Sequence, residues 1–150
     1  MEKIICVAGP TASGKTRLAV ELAKKYDGEV LSCDSMQIYR GMEIGTAAPT
    51  ISEMQGVAHH MIGAASPKED FSVGKYIELA EPILQDILSR GKTCVVCGGT
   101  GLYADSLLLG CLYKMVALYV LLLLALILRI IVILYIDKLN LHQLHLLHFV

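Results

Sequence analysis

Eight consecutive residues near the start of the chain can do chemistry together. Gly9, Pro10, Thr11, Ala12, Ser13, Gly14, Lys15 and Thr16 run as a Gly, four residues, then Gly-Lys-Thr, the spacing of a loop that cradles phosphate. The glycines let the backbone turn tightly, so that successive amide N–H groups point into one concavity. A helix starting at the end of the loop adds the positive end of its dipole. Lys15 then supplies a mobile cation for the outer phosphates. Thr16 can offer its hydroxyl to a Mg²⁺ ion that keeps most of its water.

Two further stretches carry candidate groups. Asp34 ends the apolar run Glu29 to Cys33, and a carboxylate at the carboxyl end of a strand in an open parallel sheet lies where ligands bind. It could bind a metal through water, accept a proton, or cap a turn through its own side chain. The cluster Gly98-Gly99-Thr100-Gly101 follows the run Thr93 to Cys97. Glycines there let a ligand approach the backbone, and Thr100 brings the hydroxyl. His59 and His60 are adjacent, so in extended backbone they point to opposite sides, and packing or hydrogen bonding explains them better than a metal site. Cys94 and Cys97 have the C-x-x-C spacing, but strand geometry sets residues three apart on opposite faces, against a zinc or redox site.

The elements that must position these groups are legible from the hydrophobic pattern. Lys3 to Ala8 reads as a short buried strand. Lys15 to Lys25 reads as a helix with Leu18, Ala19, Leu22 and Ala23 on its apolar face. Strand, helix, strand order predicts an α/β fold with a parallel sheet and right-handed crossovers. Residues 34–50 read as a long irregular loop broken by Gly41, Gly45 and Pro49. A helix is expected from about Gly74 to Arg90, its stripe formed by Tyr76, Ile77, Ala80, Ile83, Leu84, Ile87 and Leu88, with Pro82 bending it or marking an earlier start. Another begins at Leu102.

Composition divides the chain in two. Residues 1–110 carry charges throughout, whereas 111–150 hold only Lys114, Arg129, Asp137 and Lys138. With 13 basic and 14 acidic residues overall, the chain lacks the basic surface of a free-standing nucleic-acid binder. Five cysteines, mostly in apolar strand-like runs, read as reduced and buried. No amino-terminal targeting segment is expected.

Taken together, GPTASGKT at 9–16, DSMQIYRGMEIGTAAPT at 34–50, GVAHHMIG at 56–63, FSVGKY at 71–76 and GGTGLYADSLLLG at 98–110 closely resemble the amino-terminal part of the tRNA dimethylallyltransferases, also called tRNA isopentenyltransferases. The resemblance covers about residues 3–110. It implies a P-loop NTPase-like core that moves a dimethylallyl group from dimethylallyl diphosphate to the exocyclic amine of the adenosine 3′ of the anticodon. Gly9 to Thr16 would then grip the diphosphate leaving group, with Mg²⁺ at Thr16. Asp34 would be the general base, and Asp34, Ser35, Met36, Gln37 and Thr100 would contact the anticodon arm of tRNA. The family also implies a cytoplasmic enzyme, and we expect a monomer. Gly63-Ala64-Ala65 departs from the family, which is more acidic there.

After Gly110 the family pattern stops. Residues 116–136 are almost wholly apolar apart from Arg129, long enough to span a bilayer as a helix. The abrupt change and low complexity favour a shifted reading frame or unspliced sequence over a membrane anchor. The expectation is therefore a partial transferase core, weakly active or inactive, followed by a non-family tail. Two alternatives are a small-molecule P-loop kinase, with Asp34 positioning the acceptor hydroxyl, and a non-catalytic membrane-anchored fragment.

Overall fold

The structure is a computed structural model that describes residues 3–110 and 120–129. The chain forms two compact units, Met1–Leu109 and Gly110–Val150. In the first, the order along the chain is β1 (Ile4–Ala8), α1 (Lys15–Lys25), β2 (Gly28–Ser32), α2 (Ile51–Met54), β3 (His59–His60), α3 (Val73–Ser89) and β4 (Thr93–Gly98), followed by helical residues 101–109.

All strand pairs are parallel, in the spatial order β1-β4-β2-β3. The last strand in sequence thus lies between the first two. Ala8 pairs with Gly98 and Ser32 with Cys97, so β1, β4 and β2 end level with one another. Their carboxyl ends launch the phosphate loop, the Gly98–Gly101 cluster and the Asp34 turn side by side. Gly98 is required by this closeness, because a Cβ there would lie 2.6 Å from the Cys33 carbonyl carbon and 2.7 Å from its Sγ.

β4 is buried along most of its length, as expected of a central strand read as a continuous apolar run. β1 differs from the buried strand expected at 3–8. It is an edge strand among the described residues, and Ile4, Cys6 and Ala8 are exposed while Val7 is buried. Cys6 is therefore an exposed thiol, whereas Cys33 and Cys94 are buried. On α1 the small residues Ala19 and Ala23 approach Val7, Val30 and Val95. Val20 is buried and Leu18 is 47% exposed, so the helix is rotated from the face expected.

α3 starts with Ser72 as N-cap, its hydroxyl accepting from the Lys75 amide at 3.3 Å. Tyr76, Ala80, Leu84, Ile87 and Leu88 are buried as the 3.6-residue period requires. The helix continues past Pro82, which is exposed; the carbonyl left without a donor one turn earlier belongs to Glu78, also an exposed residue. Tyr76 donates its hydroxyl to the Ser32 carbonyl at 2.9 Å and stacks on Tyr103, ring centroids 4.3 Å apart.

Residues 34–50 contain turns and no regular element, but they are held along their length. Gly63 N–H donates to Gln37 O, Ala65 N–H to Ile38 O, and Arg40 N–H to Ala65 O, each at 2.9 Å. α2 and β3 had no counterpart in the sequence reading. At the amino end of the sheet, buried Glu29 accepts from Arg90 (2.6 and 3.0 Å), Lys92 (3.0 Å) and His60 (2.8 Å), tying β2, β3 and the turn after α3.

In the second unit, residues 120–129 are helical and their leucines are exposed. The rest of the apolar segment, 116–119 and 130–136, lies outside the described residues. No helix among the described residues is long and apolar enough to cross a membrane.

Candidate active site

The loop Gly9 to Thr16 leaves β1 and enters α1 through Gly14, whose φ of 84° and ψ of 13° are left-handed. No side chain caps the helix, so its first N–H groups remain for a ligand. Ala12 also has positive φ, at 63°. A non-glycine residue there costs about 1–3 kcal/mol and is characteristic of functional loops. Left-handed residues at 12 and 14 turn neighbouring N–H groups to one side, the geometry of an anion nest. Lys15 folds back over the loop, its Nζ donating to the Pro10 carbonyl.

Thr11, Ala12, Ser13, Gly14, Lys15 and Thr16 line a cavity of ≈ 360 Å³ whose other wall contains Asp34 and Gln37. Gly9 and Pro10 face instead a second cavity of ≈ 590 Å³ along the β1 edge, lined partly by Val7, Ala8 and Leu18. The loop is thus a partition with open space on both sides.

Asp34 is fixed by its own turn. Its Oδ1 accepts from the amides of Met36 (2.9 Å) and Gln37 (3.4 Å). Its Oδ2 lies on the side of Gly99, where a Cβ would come within 4.0 Å of it. One carboxylate oxygen is therefore committed to the turn, and the other lies towards Gly99. Thr100 completes the brace, since its Oγ1 accepts from the Ser35 amide at 3.0 Å and donates to the Ser35 Oγ at 3.2 Å. Gln37 is held at both ends of its amide, Nε2 donating to the Ala47 carbonyl and Oε1 accepting from the Ser32 hydroxyl, each at 3.3 Å. Ser35, Met36 and Thr100 do not line the cavity; Met36 is 50% exposed beside it.

Gly98, from the glycine cluster picked out in the sequence, also lines the cavity, as do Arg17, Thr46, Ala47, Glu53 and Cys97, which sequence reasoning did not single out for the site. One signal was available for Glu53. Thr50-Ile-Ser-Glu53 is a capping box, with Glu53 Oε2 accepting from the Thr50 amide at 2.8 Å and the Thr50 hydroxyl accepting from the Glu53 amide at 3.3 Å. That amide contact holds the Glu53 carboxyl below its ordinary range. Cys97 is pushed up to about 11 by burial, against the pull of Lys15, and Cys33 to about 12 by burial. Burial thus disfavours in both the thiolate that a nucleophile requires.

His60 hydrogen-bonds Glu29, and His59 Nδ1 donates to the Val57 carbonyl at 2.9 Å. Burial holds His59 below the ordinary imidazole range. Its Nε2 is buried without a hydrogen-bond partner. No group of three or more His, Cys, Asp or Glu among the described residues could hold a metal. The oxygen donors Thr16 and Asp34 share the main cavity, a donor set of the hard kind that Mg²⁺ takes in company with phosphate oxygens and water.

Comparison with known proteins brings one family forward. The IPP transferase family model matches residues 37–118, and the isopentenyl transferase model matches residues 2–66. A tRNA dimethylallyltransferase of Caldanaerobacter subterraneus is 54% identical over 105 residues, 70% of this chain and 33% of the relative. That of Acetivibrio thermocellus is 51% identical over 108 residues, 34% of its length. The chain thus spans about a third of the length of these curated relatives. Among solved structures, the full-length tRNA isopentenylpyrophosphate transferase of Bacillus halodurans superposes with a TM-score of 0.69 at 50% identity, over 71% of this chain and 35% of that one. A eukaryotic dimethylallyltransferase acting on tRNA gives 0.67 at 35% identity, over 69% and 26%.

Proposed function

This chain belongs to the IPP transferase family, and from that membership we propose that it carries the diphosphate-binding loop and general base of a tRNA dimethylallyltransferase. The donor is dimethylallyl diphosphate and the acceptor is the exocyclic amine of the adenosine 3′ of the anticodon. The observation that carries this reading is the shared cavity of residues Thr11 to Thr16 and Asp34, joined by strands whose ends are level.

The chemistry follows from what the two walls offer. The amine nitrogen attacks the allylic carbon, the bond from that carbon to oxygen breaks, and its electron pair leaves on the diphosphate. Charge grows on the diphosphate oxygens, where loop amides, the start of α1 and Lys15 stabilise it without reorganising. Thr16 would hold Mg²⁺, which when bound adds positive charge beside the same oxygens. The amine loses a proton as the new bond forms, and Asp34 Oδ2 accepts it while Oδ1 stays committed to the turn. The target base must leave its stack to reach this depth. Thr100, by holding Ser35, and Gln37, by bridging Ser32 and Ala47, keep the acceptor wall in place.

The test uses the chain with dimethylallyl diphosphate, Mg²⁺ and an anticodon stem-loop. At most weak transfer is expected, at a rate that falls further, by about 100-fold or to nothing measurable, in Asp34→Ala, while diphosphate binding is retained. Transfer undiminished in that variant, or ATP-dependent phosphorylation of a small alcohol in place of prenyl transfer, would overturn the assignment.

A further inference from the structure

Behind the phosphate loop lies a cavity of ≈ 20 Å³, lined by Thr16, Ala19, Ser32, Gln37, His59 and Cys97 among others. Thr16, Gln37 and Cys97 line the main cavity as well, so they form the wall between the two. A cavity of this size has room for about one water molecule, provided it meets two to four polar partners. The hydrogen-bond inventory of its lining decides which they are. Ser32 spends its proton on Gln37 Oε1, and Gln37 donates to the Ala47 carbonyl. The Cys97 S–H is only a weak donor. Thr16 makes no hydrogen bond through its hydroxyl with any described residue, and its O–H is the strong donor left. His59 donates from Nδ1 to Val57, which leaves Nε2 with a lone pair, buried and unpartnered.

We infer that His59 is a positioning residue for the phosphate loop, accepting through one buried water a hydrogen bond that originates at the Thr16 hydroxyl. The water accepts from Thr16 and donates to His59 Nε2 and to the Ser32 oxygen, three bonds in all. Thr16 has a single hydroxyl proton. With that proton directed inward, its lone pairs face the main cavity, the orientation in which a hydroxyl coordinates a cation. β3, a strand of two residues that touches no ligand, thereby acts on the metal side of the site. Burial, which disfavours protonation of His59, keeps Nε2 available as an acceptor. This inference rests on the proposed role of Thr16.

Two measurements on the whole chain test it. In ¹⁵N spectra of the imidazoles, His59 should be the neutral Nδ1–H tautomer; an Nε2–H tautomer overturns the inference whatever the ligand data show. Binding of inorganic diphosphate with and without Mg²⁺ then reads the positioning. His59→Leu should lose about tenfold of the Mg²⁺-dependent gain in affinity, the low end for an outer-shell partner, with metal-free binding unchanged. His59→Gln, which restores an acceptor, should recover it, and a cooperative melt verifies that each variant is folded. An unchanged Mg²⁺ gain in a folded His59→Leu overturns the inference. If the parent binds no diphosphate at all, the proposed function fails, and the tautomer alone decides the role of His59.

Discussion

Under the proposed function, Asp34 serves two demands that the sequence left as alternatives. A turn cap and a proton acceptor need different oxygens, and the structure supplies Oδ1 to the first while Oδ2 lies towards Gly99. Glu29 is the opposite case, a carboxylate fully engaged with Arg90, Lys92 and His60 and remote in role from the chemistry. The Arg90 guanidinium above all, with His60 and Lys92, holds its carboxyl far below its ordinary value of 4.5. A depressed folded value means stability that is complete above the unfolded value and lost as pH falls below it. Glu29→Gln should therefore cost about 2–3 kcal/mol at pH 7, the range for hydrogen bonds to charged groups, because Arg90 and Lys92 can still turn to water. Its denaturant-derived stability should also fall less steeply than the parent's between about pH 4.5 and pH 2. Identical acid profiles for the two proteins would refute this role.

The elements with a long period were the ones legible in the sequence. α3 repeats its apolar positions from Tyr76 to Leu88 and α1 from Leu18 to Ala23, while β2 and β4 are centred on the apolar pairs Val30-Leu31 and Val95-Val96 and are followed by Asp34 and glycine. β3 has two residues and α2 four, too few to express any period, and they exist because the 34–50 loop and β2 hold them. The exposure of β1 was equally hidden, since IICVA reads as a core strand and only the sheet order makes it an edge. That order also sets a tight constraint among the elements, at Gly98 between β4 and Cys33. Gly98→Ala places a Cβ 2.6 Å from backbone, so the strands must part. A loss of about 3 kcal/mol in stability is expected, the upper range of overpacking, together with weakened diphosphate binding as Asp34 shifts away from the loop. Calorimetry and a binding titration check both; a variant as stable as the parent would mean that the strand ends are not tightly fixed.

For the molecule as a whole, the site is a consequence of register. Three strands ending level bring together segments separated by as much as 90 residues, as between Ala8 and Gly98. Motif spacing announced the phosphate loop, but nothing in the sequence states that β4 passes between β1 and β2. Binding at this shared end should therefore stabilise the entire sheet unit. With Mg²⁺ and diphosphate at 100 times the dissociation constant, linkage gives about 2.7 kcal/mol of added stability, read as a rise in Tm. Lys15→Ala should abolish most of that rise while leaving the unliganded Tm within a few degrees, because among the described residues the Lys15 amine hydrogen-bonds only the Pro10 carbonyl of its own loop. A full ligand shift in Lys15→Ala would remove the loop from the binding site.

The stacked tyrosines beneath the strand ends give the molecule an optical signature of its own folding. The chain contains no tryptophan, so its near-ultraviolet absorption and emission come from tyrosine. Tyr76 and Tyr103 lie 17° from coplanar at 4.3 Å, a fixed asymmetric pair of chromophores that should dominate near-ultraviolet circular dichroism. One ring belongs to α3 and reaches the end of β2 through its hydroxyl; the other belongs to the helix that follows Thr100. The dichroic band thus reports, without any label, whether the acceptor wall of the site is assembled.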